Sequence, residues 1–118
     1  VDYKAQSNNI PVETKTYLNS VYHQSYKLQM DIYVHILRKM NFKMSDTAYF
    51  YVCNADKNYN KFDDKLNFTT TLITYLTNTL WIDKKIIEMK ETLDSTKVPE
   101  INKSCEKCMY LNAGKDLI

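Results

Sequence analysis

Apolar and polar positions change their period several times along this chain, and each change marks an element. Val1 to Ala5 reads as a short strand, on which Asp2 and Lys4, two residues apart, share one face. A polar stretch with Pro11 then reads as a loop. Asn19 or Ser20 is placed as the N-cap of the longest helix, which runs to about Met40 and stops at Asn41. "TAYFYVCN", Thr47 to Asn54, is β-branched and aromatic and reads as a strand. "ADKNYNKFDD" is turn-rich and suits an exposed connection, and Lys65 to Tyr75 is a further strand. From Leu80 to Leu93, the positions Leu80, Ile82 or Asp83, Ile86, Ile87, Met89 and Leu93 describe an amphipathic helix. "DSTKVPEINKS" is a linker, and "CEKCMYLNAGKDLI" a short terminal helix. The order predicts an α/β fold without internal repeats, with too few strands for a complete doubly wound domain.

On the long helix, Tyr22, Tyr26, Gln29, Tyr33, Ile36, Leu37 and Met40 recur at spacings of three and four and predict one buried stripe. Gln29 is its odd member. A buried amide needs partners or costs about 1–3 kcal/mol, and the Tyr33 hydroxyl, one turn on, is within reach. A boundary position bonded to water is the plainer reading of Gln29. Asp31 falls on a different helical face and is read as surface. A helix packed on the opening strand would bring Gln29 and Tyr33 near the strand's end, where sites in α/β proteins tend to lie.

Composition narrows the picture only modestly. A chain of 118 residues holds one domain with one modest core. A formal charge of +2 excludes a polybasic nucleic-acid arm but leaves room for a locally basic groove. No apolar run is long enough to cross a bilayer and no signal peptide precedes the fold, so no membrane partner is expected. Three cysteines, Cys53, Cys105 and Cys108, without an export signal suggest reduced thiols in a cytoplasm.

Asp2-x-Lys4 on a strand, followed by a helix bearing Gln29-x-x-x-Tyr33, resembles the second half of the PD-(D/E)XK nuclease superfamily, RecB-type exonuclease branch. The run "YKLQMDIYVHILRKMNFKMSDTAYFYVCN" is similar to that branch as well. So is the tail "VPEINKSCEKCMY", with its Pro followed by Cys-x-x-Cys-x-Tyr. The resemblance covers almost the whole chain. It implies the C-terminal part of a restriction-endonuclease-like core, a mixed sheet flanked by helices. The earlier helix and two strands, with their Glu or His and a further Asp, are absent from this sequence. Residues 1–118 are accordingly read as the C-terminal portion of such a domain, with a cut sheet edge that favours self-association.

The activity so implied is metal-dependent DNA hydrolysis, most simply an exonuclease. Asp2 and the Tyr3 carbonyl are the implied ligands of Mg2+ or Mn2+, which takes oxygen donors. Lys4 is the implied water-orienting and charge-stabilising group, with Gln29 and Tyr33 holding Lys4 and the scissile phosphate in register. One carboxylate is too little for tight binding, so the chain by itself is expected to be inactive. Two alternatives stand beside this reading. One is a catalytically inactive nuclease-fold module for nucleic-acid binding or assembly. The other is an unrelated α/β interaction domain, in which Asp2 and Lys4 form an ordinary surface pair worth at most about 1 kcal/mol.

Other candidates carry less. Cys105-x-x-Cys108 has half the spacing of a zinc or iron–sulfur site. No third cysteine follows it, so neither cofactor is expected and the thiols are read as plain. Cys53, in a strand, is read as a small buried hydrophobe. His23, beside the stripe, and His35, opposite it, are assigned no role. Lys84, Lys85 and Lys90 are read as a solvated face rather than a DNA path.

Overall fold

In the computed structural model, which describes residues 1–58 and 64–115, the β-branched and aromatic segments form the two long strands. They are β2 (Thr47–Ala55) and β3 (Phe68–Leu76), and β1 (Asp2–Gln6) is the opening strand. The sheet order is β1-β2-β3. β1 runs parallel to β2, with Lys4 opposite Val52, and β2 runs antiparallel to β3, with Phe50 opposite Ile73. The chain is therefore α/β with a three-stranded mixed sheet. It divides into two units, Val1–Ile82 and the segment from Asp83 onward.

Alternation along β2 builds the core of the first unit. Ala48, Phe50 and Val52 point to one face and are buried, and Ile73 on β3 joins them. Met30 of helix α1 (Gln24–Lys39) and Tyr17 complete the cluster, with Tyr26 and Tyr75 packed against it. β1 inverts the usual pattern. Asp2, Lys4 and Gln6 are half-buried on the face that α1 covers, whereas Tyr3 is 73% exposed on the other. Its ring packs edge-on against Tyr51 at 5.4 Å.

The helix departs from expectation at its start and in its facing. Two short 3-10 turns, Tyr17–Asn19 and Val21–His23, precede it, and His23 rather than Asn19 or Ser20 is its N-cap. Ser20 is extended (φ −60°, ψ 138°), which breaks the run into two turns. The buried face is Met30, Asp31 and Val34, whereas Tyr22, Ile36 and Met40 of the predicted stripe are exposed. Apolar residues also lie at Leu28 and Ile32, so hydrophobicity alone leaves the facing ambiguous. The polar contacts of Asp31 decide it.

Asp31, expected at the surface, is 3% exposed. Its Oδ1 accepts the Asn78 amide at 2.9 Å, and its Oδ2 accepts Trp81 Nε1 at 3.1 Å and the Tyr75 hydroxyl at 3.2 Å. A buried carboxylate is tolerable when donors surround it in this way. It ties α1 to the segment that follows β3. The far end of α1 closes as a Schellman turn. Asn41 adopts φ 66°, its amide reaching the Arg38 carbonyl and the Phe42 amide the Leu37 carbonyl.

The second unit begins along helix α2 (Ile82–Asp94) and includes helix α3 (Glu106–Gly114). On α2, Lys85 and Lys84 pair with Glu88, and Lys90 pairs with Asp94. The hydrogen bond and charge of Lys85 hold the Glu88 carboxyl below its ordinary range. Ile86, Ile87, Met89 and Leu93 are exposed. Residues 59–63 of the expected polar connection and 116–118 of the tail lie outside the described residues. Among the described residues, no helix is long and apolar enough to cross a membrane.

Candidate functional site

Because β1 turns Asp2 and Lys4 toward α1, Lys4 meets the helix at Gln29 and Tyr26, and Asp2 shares a cavity wall with Tyr33. Lys4 Nζ donates to Gln29 Oε1 at 2.6 Å, and Gln29 Nε2 donates to the Tyr33 hydroxyl oxygen at 2.7 Å. Lys4 Nζ also stands 2.9 Å from Asp2 Oδ2 and 4.3 Å from the centre of the Tyr26 ring. One ammonium is thus shared among a carboxylate, an amide oxygen and an aromatic face. The four residues marked in the sequence, Asp2, Lys4, Gln29 and Tyr33, are spatial neighbours. Tyr3, the other candidate ligand, directs its side chain to the opposite sheet face, which leaves only its carbonyl for such a role.

The polarity of this chain is fixed by its first member. An ammonium only donates, so the Gln29 oxygen must face Lys4 and its amino group must face Tyr33. Tyr33 then accepts from Gln29 with its oxygen and keeps its own proton for a further acceptor. Among the described residues nothing accepts that proton. Gln29 is half-buried and Tyr33 is exposed, so the predicted stripe enters the site at a boundary and not from the core.

Asp2 is held differently. Its side chain is 22% exposed overall, yet Oδ2 is buried. The Lys4 ammonium approaches close to that oxygen but off the hydrogen-bonding direction, so the contact is Coulombic and Oδ2 lacks an aligned donor. Asp2 and Tyr33 border a cavity of about 370 Å³ whose other walls include Met30, Val34, Leu37 and Ala48. The cavity is largely apolar.

A column of rings backs Lys4. Tyr17 stacks on His23 at 4.0 Å, His23 on Tyr26 at 5.1 Å, and Tyr26 presents its other contacts to Lys4 and Phe50. His23 Nδ1 lies 2.6 Å from the Tyr17 carbonyl, which only accepts, so Nδ1 carries the proton. The Tyr17 hydroxyl donates to Gln6 Oε1 at 3.1 Å. Burial, and then the neighbouring Tyr26, push the Tyr17 pKa up to about 12. Sequence reasoning passed over His23 and Tyr17. The spacing of Tyr17, His23 and Tyr26 crosses an irregular turn, so no helical period exposes it.

As a metal centre the cluster offers one buried carboxylate oxygen. Among the described residues, no group of three or more His, Cys, Asp and Glu side chains comes together. A hard divalent cation is often held by one or two carboxylates with water and a substrate phosphate completing its shell. Asp2 would supply the single carboxylate of that pattern, with the Lys4 ammonium 2.9 Å from its buried Oδ2 competing with a cation for that oxygen. Comparison with protein-family models, with curated proteins and with solved structures finds no match to this chain.

Proposed function

We propose that the Asp2–Lys4–Gln29–Tyr33 cluster binds a phosphodiester and serves metal-dependent nucleic-acid hydrolysis, of the kind carried out by the RecB-type exonuclease branch of PD-(D/E)XK nucleases. The observation that carries this reading is the directed chain of hydrogen bonds from Lys4 through Gln29 to Tyr33. It leaves a hydroxyl proton without an acceptor among the described residues, one amide away from a half-buried ammonium, where an anionic oxygen of a phosphate is the natural acceptor. Asp2, with the Tyr3 carbonyl, would hold Mg2+ or Mn2+. Such an ion, when bound, neutralises phosphate charge and lowers the pKa of an attacking water. Lys4 stabilises negative charge that develops on the phosphate, Gln29 fixes the Lys4 and Tyr33 orientations, and Tyr33 positions a non-bridging oxygen.

A second reading has support of its own. The inward charges on β1 are a known way to blunt a sheet edge, and Asp2 already has a cationic neighbour. A catalytically inactive nuclease-fold module that binds nucleic acid or assembles with another protein would keep this geometry without the metal. Fluorescence anisotropy with a single-stranded DNA oligonucleotide, with and without Mn2+, separates the two. Under the nuclease reading, Mn2+ tightens binding, Asp2→Asn removes the tightening, and Tyr33→Phe weakens binding about tenfold, roughly 1.4 kcal/mol. Affinity indifferent to Mn2+, Asp2 and Tyr33 together would leave the proposal without support.

A further inference from the structure

Cys105 and Cys108 take no part in the site described above, and their placement is specific. Cys105 is the N-cap of α3 with an extended backbone (φ −95°, ψ 110°), and Cys108 is the third residue of that helix. An N-cap side chain in this conformation turns back over the first turn, toward the second and third helical residues. The Cys105 sulfur is thereby directed to the Cys108 side of the helix. The turn is held at both ends. The Cys105 amide donates to the Asn102 carbonyl at 3.1 Å, and the Met109 amide donates to the Cys105 carbonyl at 3.0 Å. Both thiols are free and half-buried, open enough for a small reagent. Residues three apart at a helix start lie near the separation a disulfide spans, so closure needs little backbone movement.

The two sulfurs are also chemically unequal. The Cys108 amide, the Cys108 thiol and the neighbouring Lys107 hold the Cys105 pKa below the ordinary thiol value, although no aligned cap hydrogen bond forms. Cys108 donates toward the Cys105 sulfur, and this together with burial raises its own pKa. A pair in which one thiol ionises more readily than its neighbour has the division of labour that exchange chemistry requires.

We propose that Cys105 and Cys108 form a thiol–disulfide exchange pair acting on low-molecular-weight disulfides of the glutathione class, with Cys105 attacking and Cys108 resolving. In the first step the Cys105 thiolate bonds to one sulfur of the disulfide. The old S–S bond breaks, and its electron pair leaves on the other sulfur as a thiolate. In the second step Cys108 loses its proton and attacks the Cys105 sulfur, closing the internal disulfide and expelling the second thiolate. The two protons given up by the cysteines end on the two released thiols. The protein pair is oxidised by two electrons and the small disulfide is reduced by two. Oxidation clamps the first turn of α3, and excess reduced thiol reopens it.

The test uses the whole chain, reduced and then equilibrated with oxidised glutathione at neutral pH, quenched with acid, blocked with N-ethylmaleimide and mapped by mass spectrometry. The expected product has lost the two thiol hydrogens, links Cys105 to Cys108 within one peptide, and carries the blocking group on Cys53. Cys108→Ser is expected to lose the internal link and accumulate glutathione on Cys105, while Cys105→Ser loses the link without that accumulation. Mixed disulfides spread over all three cysteines with no internal link would overturn the proposal. So would glutathione trapped on Cys108 in the unmodified chain, or stoichiometric zinc that protects both sulfurs from blocking. Because the first measurement is made on the unaltered sequence, misfolding of a variant cannot hide a negative result.

Discussion

Replacing Lys4 with Met tests how strongly the cluster is built into the fold. The substitution keeps an unbranched side chain of similar length and removes the ammonium, with its place over the Tyr26 ring. Two partners then lose it: the buried Asp2 Oδ2, already without an aligned donor, and Gln29 Oε1 at 2.6 Å. Breaking a fully buried ion pair costs about 3–5 kcal/mol, whereas an exposed one is worth at most about 1 kcal/mol. The Lys4 and Asp2 side chains are 14% and 22% exposed, so solvent screens them in part. The expected loss is about 2–3 kcal/mol, a fall of roughly 10 °C in Tm for a chain of this size. Equilibrium urea unfolding with an unchanged m-value is the assay. In Asp2→Ala/Lys4→Met the orphaned carboxylate is gone, and the double variant should be more stable than the summed single costs predict by about 1–2 kcal/mol. A Lys4→Met cost below about 0.5 kcal/mol, with single effects that simply add, would return the pair to an ordinary surface contact.

The remaining predictions concern the scaffold. Asp31→Asn turns one of the acceptors facing three donors into a donor, and should cost about 2–4 kcal/mol. Trp81 is the single tryptophan, so its emission reports this locus alone, and a red shift in the folded variant checks the loss. Burial, then the charge and hydrogen bond of Asp31, push the Tyr75 pKa up to about 12, and Tyr17 is raised to a similar value. Raised values mean that the folded state keeps protons the unfolded chain releases near pH 10. The stabilisation is therefore whole below pH 10 and is lost as pH rises from 10 through 12. An ultraviolet tyrosinate titration should show a late-ionising fraction that shrinks in Tyr75→Phe; a single transition near pH 10 for every tyrosine would contradict this. At Asn41, φ 66° favours Gly, so Asn41→Gly should be neutral or slightly stabilising, and Asn41→Val should cost about 1–2 kcal/mol in thermal melts.

Where a rule depends on local chemistry, the sequence was readable. Asn41 as helix stop, the aromatic strand beginning at Thr47, and the common face of Asp2 and Lys4 each follow from one or two residues' own preferences. The reach from Gln29 to Tyr33 follows from helical spacing in the same way. What failed was the choice among faces of a helix with apolar residues on more than one side. Leu28, Ile32 and Ile36 contribute hydrophobicity without burial, and the face was settled by donors from Tyr75, Asn78 and Trp81, distant in sequence, meeting Asp31. A carboxylate buried by such partners carries no local mark. The ring column of Tyr17, His23 and Tyr26 escaped notice for a related reason, since the two 3-10 turns reset the period between them.

The fixed sense of the Gln29 amide has a selective consequence. Since an ammonium stands at one end of the relay, the phenol at the other end can offer a proton but has one lone pair already engaged. An incoming ammonium or guanidinium offers no lone pair to accept that proton and would stand near an existing positive charge. A carboxylate, sulfate or phosphoryl oxygen meets the opposite situation on both counts. On the proposed reading, discrimination between these ligand types would be set by the backbone placement of one lysine, which fixes the amide between it and the phenol.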